Sequence, residues 1–266
     1  MDIFAVGDIS MSILHTIERF IARTFSGGSF YCCLCDKNVR RFLPYRGGRS
    51  NESAFIKEMK IVGSDVDNFE CPNCGAHDRE RHLFLYLNAA DLFTKFCGKD
   101  ILHFAPERHL SARIAECSPN TYVKADLYPY TTDIVPLDLL DLPYPNCSFD
   151  FLVANHVLEH VGDDLRALSE ICRVLRVGGA AILQTPFSER LNITWQDDGI
   201  DSASARLIVY GQEDHLRLYG NDIIKRFSSV GLSPLVATHV GLLPSVNASM
   251  FGVNPHEPFF LFERRE

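Results

Sequence analysis

The chain has 266 residues, 46% of them apolar, with a formal charge of −8 at neutral pH. That is enough apolar material for one large domain or for an ordinary domain with a smaller appendage. No run approaches the eighteen or more consecutive apolar residues of a membrane-spanning helix, and the N-terminus lacks the pattern of a signal peptide, so we expect a cytosolic protein without a membrane partner. The charge is uneven: residues 83–266 hold 15 Lys+Arg against 23 Asp+Glu, whereas residues 31–82 hold 9 against 8. The larger part should repel a polyanion. Any nucleic-acid docking would fall to the smaller part, where Arg40, Arg41, Arg46 and Arg49 cluster beside Tyr45.

Taken in chain order, residues 9–25 place Ile9, Ile13, Leu14, Ile17, Phe20, Ile21 and Phe25 at spacings of three and four, which predicts an amphipathic helix packed on the chain's own body. Gly27 and Gly28 end it, closing a first segment over residues 1–28. Residues 29–76 mix short apolar pieces with Gly, Pro, Asn and Asp and have no helical period, as expected of a module organised around a metal. Nine cysteines in a reducing compartment favour that reading over disulfides.

Cys32 and Cys35 form one CxxC, and Cys71-Pro72-Asn73-Cys74 forms a second, followed by Gly75. Two such turns supply the four thiolates of a closed tetrahedral zinc site, so the ion is expected to stabilise the fold and not to perform chemistry. Cys33 competes with Cys32 as a ligand, and His77 can substitute for a cysteine. Cys97, Cys117, Cys147 and Cys172 are scattered and read as ordinary thiols.

A connecting helix is predicted over 77–98. Beyond it, strands are expected at 101–105, 122–125, 133–137, 149–155, 180–185, 234–239 and 258–263, with helices at 108–117, 163–175 and 220–230. Alternation of this kind predicts an α/β domain over 99–266 with a mainly parallel seven-stranded sheet. The segment KDILHFAPERHL runs from a strand through a tight turn into a helix, the place for a nucleotide site. Residues 186–219 interrupt the alternation and are expected to form a lid or substrate segment. Within it, His215 is the candidate base, oriented by Asp214; Trp195 and Arg217 are candidate substrate contacts, Arg217 for an anionic group. His103, on the first strand, is expected to be a satisfied core histidine.

The stretch DLLDLPYPNCSFDFLVANHVLEHVGDDLRALSEICRVLRVGGAAILQTPF resembles the class I S-adenosylmethionine-dependent methyltransferases of the type 11 family, over roughly residues 100–187. The resemblance implies a Rossmann-like methyltransferase fold. It implies that Asp126 accepts the ribose hydroxyls and Asp138 meets the adenine amino group, with Leu127 and Leu139 beside them. Asn155 and His156 are implied to line the methionine end, with His156 near the chemistry; Glu159 and His160 continue the signature. The sequence departs from the family in its first turn, which has no glycine. There Ala105 is small enough for backbone approach, Pro106 fixes the turn, and Glu107 can hold the methionine ammonium group.

The two CxxC turns, CPNCGAHDRERHLFLYL, ILHFAPE and GQEDHLRLYG together resemble a bacterial group of zinc-ribbon methyltransferases. The function implied is methyl transfer from S-adenosyl-L-methionine to a small-molecule acceptor, a sugar or other metabolite, by O- or N-methylation. The alternatives are an RNA methyltransferase docking through its zinc module and a noncatalytic zinc-ribbon interaction protein. The sequence carries no signal of oligomeric state.

Overall fold

The computed structural model describes residues 16, 18–22 and 28–265. Most of the helix expected over 9–25 therefore lies outside the described residues. Among those described, no helix is long and apolar enough to cross a membrane. The chain forms two compact units, and neither is a continuous segment: Met1–Asn51, Ser64–Leu85 and Ser245–Asn254 make the first, and Glu52–Gly63, Tyr86–Pro244 and Pro255–Glu266 the second.

The first unit has little regular structure. Strands β1 (Phe30–Cys32) and β2 (Lys37–Val39) form an antiparallel hairpin in which Cys32 faces Lys37. Its tight turn requires a left-handed residue, Asp36 at φ 54°. A short side chain that can bond locally suits that conformation. Among the described residues, one apolar cluster here is formed by Cys32, Val39, Phe42, Cys71 and Ala76.

What organises this unit besides sulfur is Arg81, a fully buried side chain. Its guanidinium lies 3.7 Å over the Phe42 ring and donates to the carbonyls of Asn68, Phe69, Ala76, Phe251 and Gly252. A rigid fork with five N–H donors can satisfy that many loop carbonyls at once. Nothing in the periodicity of residues 77–98 points to this role. That stretch also does not form one helix: it divides into Asp78–Ala89 and Leu92–Lys95 at Asp91, whose φ is 55°.

The second unit begins with the helix Ala54–Met59 and then β3 (Ile61–Val62). The sheet strands follow in chain order: β4 (Asp100–Phe104), β5 (Thr121–Asp126), β6 (Val135–Pro136), β7 (Phe149–Ala154) and β8 (Leu175–Ile182). After β9 (Phe187–Ser188) come β10 (Leu232–Pro234) and β11 (Leu261–Arg264). The seven-stranded sheet runs β10-β11-β8-β7-β4-β5-β6; β11 is antiparallel to both its neighbours and the other pairings are parallel. This is the expected Rossmann-like architecture, and every strand of it overlaps its predicted position or adjoins it. The apolar side chains of β4, β7, β8 and β11 pack with Leu168 and Ile171 of the helix Asp164–Val174 and Phe227 of the helix Ile223–Ser228.

Local choices support the sheet. Asp163 caps the helix Asp164–Val174 by accepting from the Arg166 amide. A Cβ on Gly179 would lie 2.8 Å from the Arg176 carbonyl oxygen and 2.9 Å from that of Asp150, so only glycine fits that point of β8.

The segment 186–219 is more ordered than a free lid. β9 pairs antiparallel with β3, Trp195 bridges Leu218, and residues 203–209 form the helix Ala203–Val209. Ser53 Oγ donates to the Ile208 carbonyl, and the Trp195 ring meets Phe55 edge-on at 5.8 Å.

Candidate functional site

The chain leaves β4, adds β5 and β6 on one side, then returns to place β7 on the other side of β4. This reversal is a topological switch point, and a crevice opens there at the carboxyl ends of the strands. The residues expected at the cofactor converge on it. Ala105–Glu107 follow β4, Asp126 ends β5, and Asn155 and His156 follow β7.

Ala105 has φ 48°, the backbone of the missing glycine. A left-handed alanine bears the Cβ penalty of about 1–2 kcal/mol but not the added crowding of a branched side chain. Pro106 is buried, and its carbonyl accepts from the Tyr130 hydroxyl at 2.8 Å. The helix Arg108–Glu116 begins immediately after the turn, directing its unsatisfied amides towards the crevice end of β4.

Glu107 pairs with His103 Nε2 at 3.2 Å and accepts from Asn155 Nδ2. Burial acts to raise its pKa, but the His103 ring, backbone donors and the Asn155 amide outweigh it and hold the carboxyl below its ordinary value. His103 is thus a working member of this network as well as a buried one, its Nδ1 bonded to the Tyr122 hydroxyl at 2.8 Å. Asn155 Oδ1 is buried and has no hydrogen-bond partner among the described residues.

A carboxylate beside an unsatisfied amide oxygen asks for a cationic donor, and the ammonium group of a bound methionine moiety supplies one. Asp126 and Asp138 each use one oxygen to accept from a nearby amide, of Tyr128 and Leu140 respectively, at 2.8 Å, which leaves the second oxygen for a ligand donor. Leu127 is 52% exposed and available to a ring, whereas Leu139 belongs to the apolar core. The residues present therefore fit S-adenosylmethionine, with Leu139 acting through packing.

Past Asn155 the chain turns at His156, whose φ is 56°, into a short helical turn at Leu158–His160. His156, Glu159 and Glu257 are buried together, with His156 Nδ1 3.2 Å from Glu159 and Nε2 3.4 Å from Glu257. Thr185 donates to the other Glu159 oxygen at 2.8 Å. Burial acts against the Glu159 anion, yet the surrounding histidines hold its pKa well below the carboxylate range.

The motif around 214–217 closes over this turn. Leu216 donates its amide to the Glu159 carbonyl at 2.9 Å. Arg217, expected to bind a substrate anion, instead donates to the carbonyls of Leu158, Val161 and Gly162 and to Gln196, and is fully buried. Its donors are spent joining two protein segments. His215 is buried with Nδ1 donating to the Tyr210 carbonyl at 3.1 Å, and burial pushes its pKa down to about 4. Asp214, expected to orient His215, lies instead 3.2 Å from His160 Nδ1. Trp195 is half-buried, its ring between Phe55 and Tyr210. Tertiary contacts of this sort, made across about 55 residues of sequence, leave no local signature.

In the first unit the four cysteines lie together, every Sγ within 4.8 Å of the others. Cys32 and Cys74 are 3.8 Å apart and Cys35 and Cys71 3.9 Å. An ion about 2.3 Å from each of four tetrahedral sulfurs sets them about 3.8 Å apart, so the cluster fits zinc. Gly75, at φ 81°, allows the second turn to fold back, with the Cys71 amide donating to the Ala76 carbonyl. Asn73 Nδ2 donates to Cys35 Sγ at 3.3 Å, the kind of outer contact that orients a thiolate. Cys33 is turned elsewhere, its thiol directed to the Arg81 carbonyl.

Residues 97–183 match a family model described as a methyltransferase domain. A curated Mycobacterium tuberculosis protein, named as a probable S-adenosylmethionine-dependent methyltransferase, is 27% identical over 140 residues, covering 48% of this chain and 47% of the relative. One from Mycolicibacterium smegmatis, with a similar name, is 42% identical over 59 residues, or 22% and 23% of the two chains. The chain thus spans about half or less of the curated relatives it matches. Among solved structures, an S-adenosylmethionine-dependent methyltransferase from Mesorhizobium loti has 13% identity and a TM-score of 0.45, over 66% of this chain and 96% of that one. A Burkholderia thailandensis 1,6-didemethyltoxoflavin-N1-methyltransferase has 13% identity and a TM-score of 0.44, over 71% and 87%. Residues 97–183 thus match a methyltransferase domain, and part of the chain is similar to curated proteins named as probable S-adenosylmethionine-dependent methyltransferases.

Proposed function

We propose that the protein transfers a methyl group from S-adenosylmethionine to a small-molecule acceptor, and that a zinc ion held by Cys32, Cys35, Cys71 and Cys74 maintains the first unit. The observation that carries the first part is the Glu107–Asn155 pair at the switch point, where an anion and an orphaned buried oxygen await a cationic donor. Asp126 and Asp138 receive the ribose and adenine, and Glu107 and Asn155 hold the methionine ammonium. When bound, the cofactor supplies an electrophilic methyl carbon on a sulfonium leaving group. The protein then needs mainly to align the acceptor with that carbon.

The acceptor faces the turn at Leu158–His160. Two buried carboxylates, Glu159 and Glu257, stand there, and the cation assigned from sequence to an anionic group, Arg217, is committed to backbone carbonyls. That environment disfavours a phosphate backbone and favours a neutral acceptor rich in hydroxyl or amine donors. His215 lies beside this turn with its Nδ1 held by the Tyr210 carbonyl, His156 braces Glu159, and Asp214 acts on His160.

Titration calorimetry with S-adenosylmethionine tests the cofactor site. Asp126→Ala is expected to weaken binding by about 1–3 kcal/mol, the range for stranding a ligand donor, and Glu107→Gln is expected to weaken it as well. Unchanged affinity in both variants would overturn the assignment. Incubation with methyl-labelled cofactor and fractionated cell extract tests the acceptor: label is expected in the small-molecule fraction, and label confined to RNA would reject this reading for the docking alternative.

A further inference from the structure

The turn after β7 and the motif at 214–215 bring together a second set of metal-ligating side chains, distinct from the four cysteines. Glu159, His160 and His215 each offer a ligand atom within 4.8 Å of the other two. Three details separate this from a chance cluster of polar groups. His215 Nε2 is buried and unpartnered, while its Nδ1 is tied to the Tyr210 carbonyl. His160 is tied through the same nitrogen, Nδ1, to Asp214. Glu159 is held from behind by Thr185 on one oxygen and His156 on the other. Each ligand thus already has the outer partner that metal-binding side chains use to fix ring orientation: a carbonyl for one imidazole, a carboxylate for the other, and a hydroxyl for the glutamate. His215 Nε2 has no hydrogen-bond partner among the described residues, and in each imidazole the nitrogen with an outer partner is Nδ1.

We infer that Glu159, His160 and His215 bind a divalent first-row transition metal through two imidazoles and a carboxylate. The donor set excludes a preference for soft ions, since it has no thiolate, and three protein ligands leave open positions, unlike the closed thiolate site of the first unit. Arg217 and the Leu216 amide act as positioning groups, locking the segment that carries His215 onto the turn that carries the other two ligands. His160, whose side chain is 30% exposed, marks the side from which a further ligand enters.

The site follows directly on Asn155 and His156, at the carboxyl end of β7. Resting on the methyltransferase reading, this position assigns the open coordination to an acceptor hydroxyl. A Lewis acid there lowers the pKa of that hydroxyl. The proton leaves to solvent, the oxygen forms a bond to the methyl carbon, and the carbon–sulfur bond of the cofactor breaks to leave a neutral thioether. The acceptor class is then an alcohol, with any second oxygen near the first able to share the ion.

The test is metal counting. Full-length protein carrying its cysteine-bound zinc is treated with a mild chelator and titrated with Mn2+ alone, bound ion being read by the loss of the free-ion electron paramagnetic resonance signal. One Mn2+ per chain is expected. His160→Ala and His215→Ala should each weaken Mn2+ binding at least tenfold, and Asp214→Asn by about 10- to 100-fold as an outer partner. Affinity for S-adenosylmethionine in each variant reports whether it has folded; His160→Ala, at a partly exposed position, is the safeguard if His215→Ala disturbs the core. Wild-type protein with neither Mn2+ uptake nor a second tightly held metal, or His160→Ala and Asp214→Asn variants with unchanged uptake, would overturn the site. Metal binding without cofactor binding would overturn the methyltransferase reading and leave the site standing.

Discussion

Both units contain a fully buried arginine that donates to loop carbonyls, Arg81 in the first and Arg217 in the second, but they stand in opposite settings. Among the described residues, the apolar cluster near Arg81 includes Val39, Phe42 and two cysteines. Arg217 borders a continuous core that draws on six sheet strands and the helices Asp164–Val174 and Ile223–Ser228, and it also faces Asp164 at 3.8 Å. A small module of this kind draws on polar and sulfur staples as well as on burial. In the second unit the larger described cluster supplies burial, and the arginine ties the segment at 214–217 to the turn at 158–162. The same chemistry thus gathers loops in one region and joins two distant segments in the other.

The sharpest way to break the comparison is to remove the staple. Replacing Cys71 and Cys74 with Ser is expected to abolish zinc binding and unfold the first unit, because structural zinc contributes roughly 10–16 kcal/mol of apparent folding free energy in small modules. Hydrogen exchange read at β1 and β2 should lose protection, while β4 and β7 keep theirs. Equal protection in β1 and β2 with and without metal would show that the unit folds without the ion.

Arg81→Met and Arg217→Met sharpen it next. Each leaves several buried carbonyls without a donor, and a loss of about 3–5 kcal/mol is expected from each, as for a broken buried polar network. The difference lies in what else changes. Denaturation of the first unit should shift with Arg81→Met while cofactor affinity holds. Arg217→Met should lower methyl-transfer turnover beyond what its folded fraction explains, and equal losses of stability and turnover would reduce Arg217 to a structural role.

A smaller effect belongs to Asp164. Burial acts to raise its pKa, but Arg226, Arg217 and Tyr219 hold the carboxyl below its ordinary value. A group lowered in the folded state gives stability that is fully present above its unfolded pKa of about 3.9 and is lost as pH falls through the folded value. The wild-type protein should therefore lose stability below about pH 4 more steeply than Asp164→Asn, which starts less stable and has no such charge to protonate. Parallel acid limbs in urea melts at stepped pH would remove Asp164 from the account.

Much of this was open to reading from the chain. The strands β4, β5 and β7 and the clustering of Cys32, Cys35, Cys71 and Cys74 were legible from period and spacing, because contacts within a turn or at the end of one element are local. The glycine-free turn did not announce its backbone: Ala105 takes a left-handed conformation that residue size alone did not indicate. The identity of Cys32 over Cys33 was ambiguous in sequence and was decided by orientation, since adjacent residues at a strand end point to opposite sides.

The roles of Asp214, His215 and Arg217 were not legible in the same way. Sequence set Asp214 beside His215 and offered Arg217 to a substrate, whereas the fold gave Asp214 to His160, gave His215 to the Tyr210 carbonyl and spent Arg217 on the turn at 158–162. The interruption at 186–219 likewise concealed a strand pairing with residues 61–62. Local sequence determines the period, the turn and the type of ligand a residue can be, since those depend on backbone preference and side-chain chemistry over a few residues. Which distant group a buried donor meets depends on how segments far apart in the chain are brought into register, and only the tertiary structure decides that.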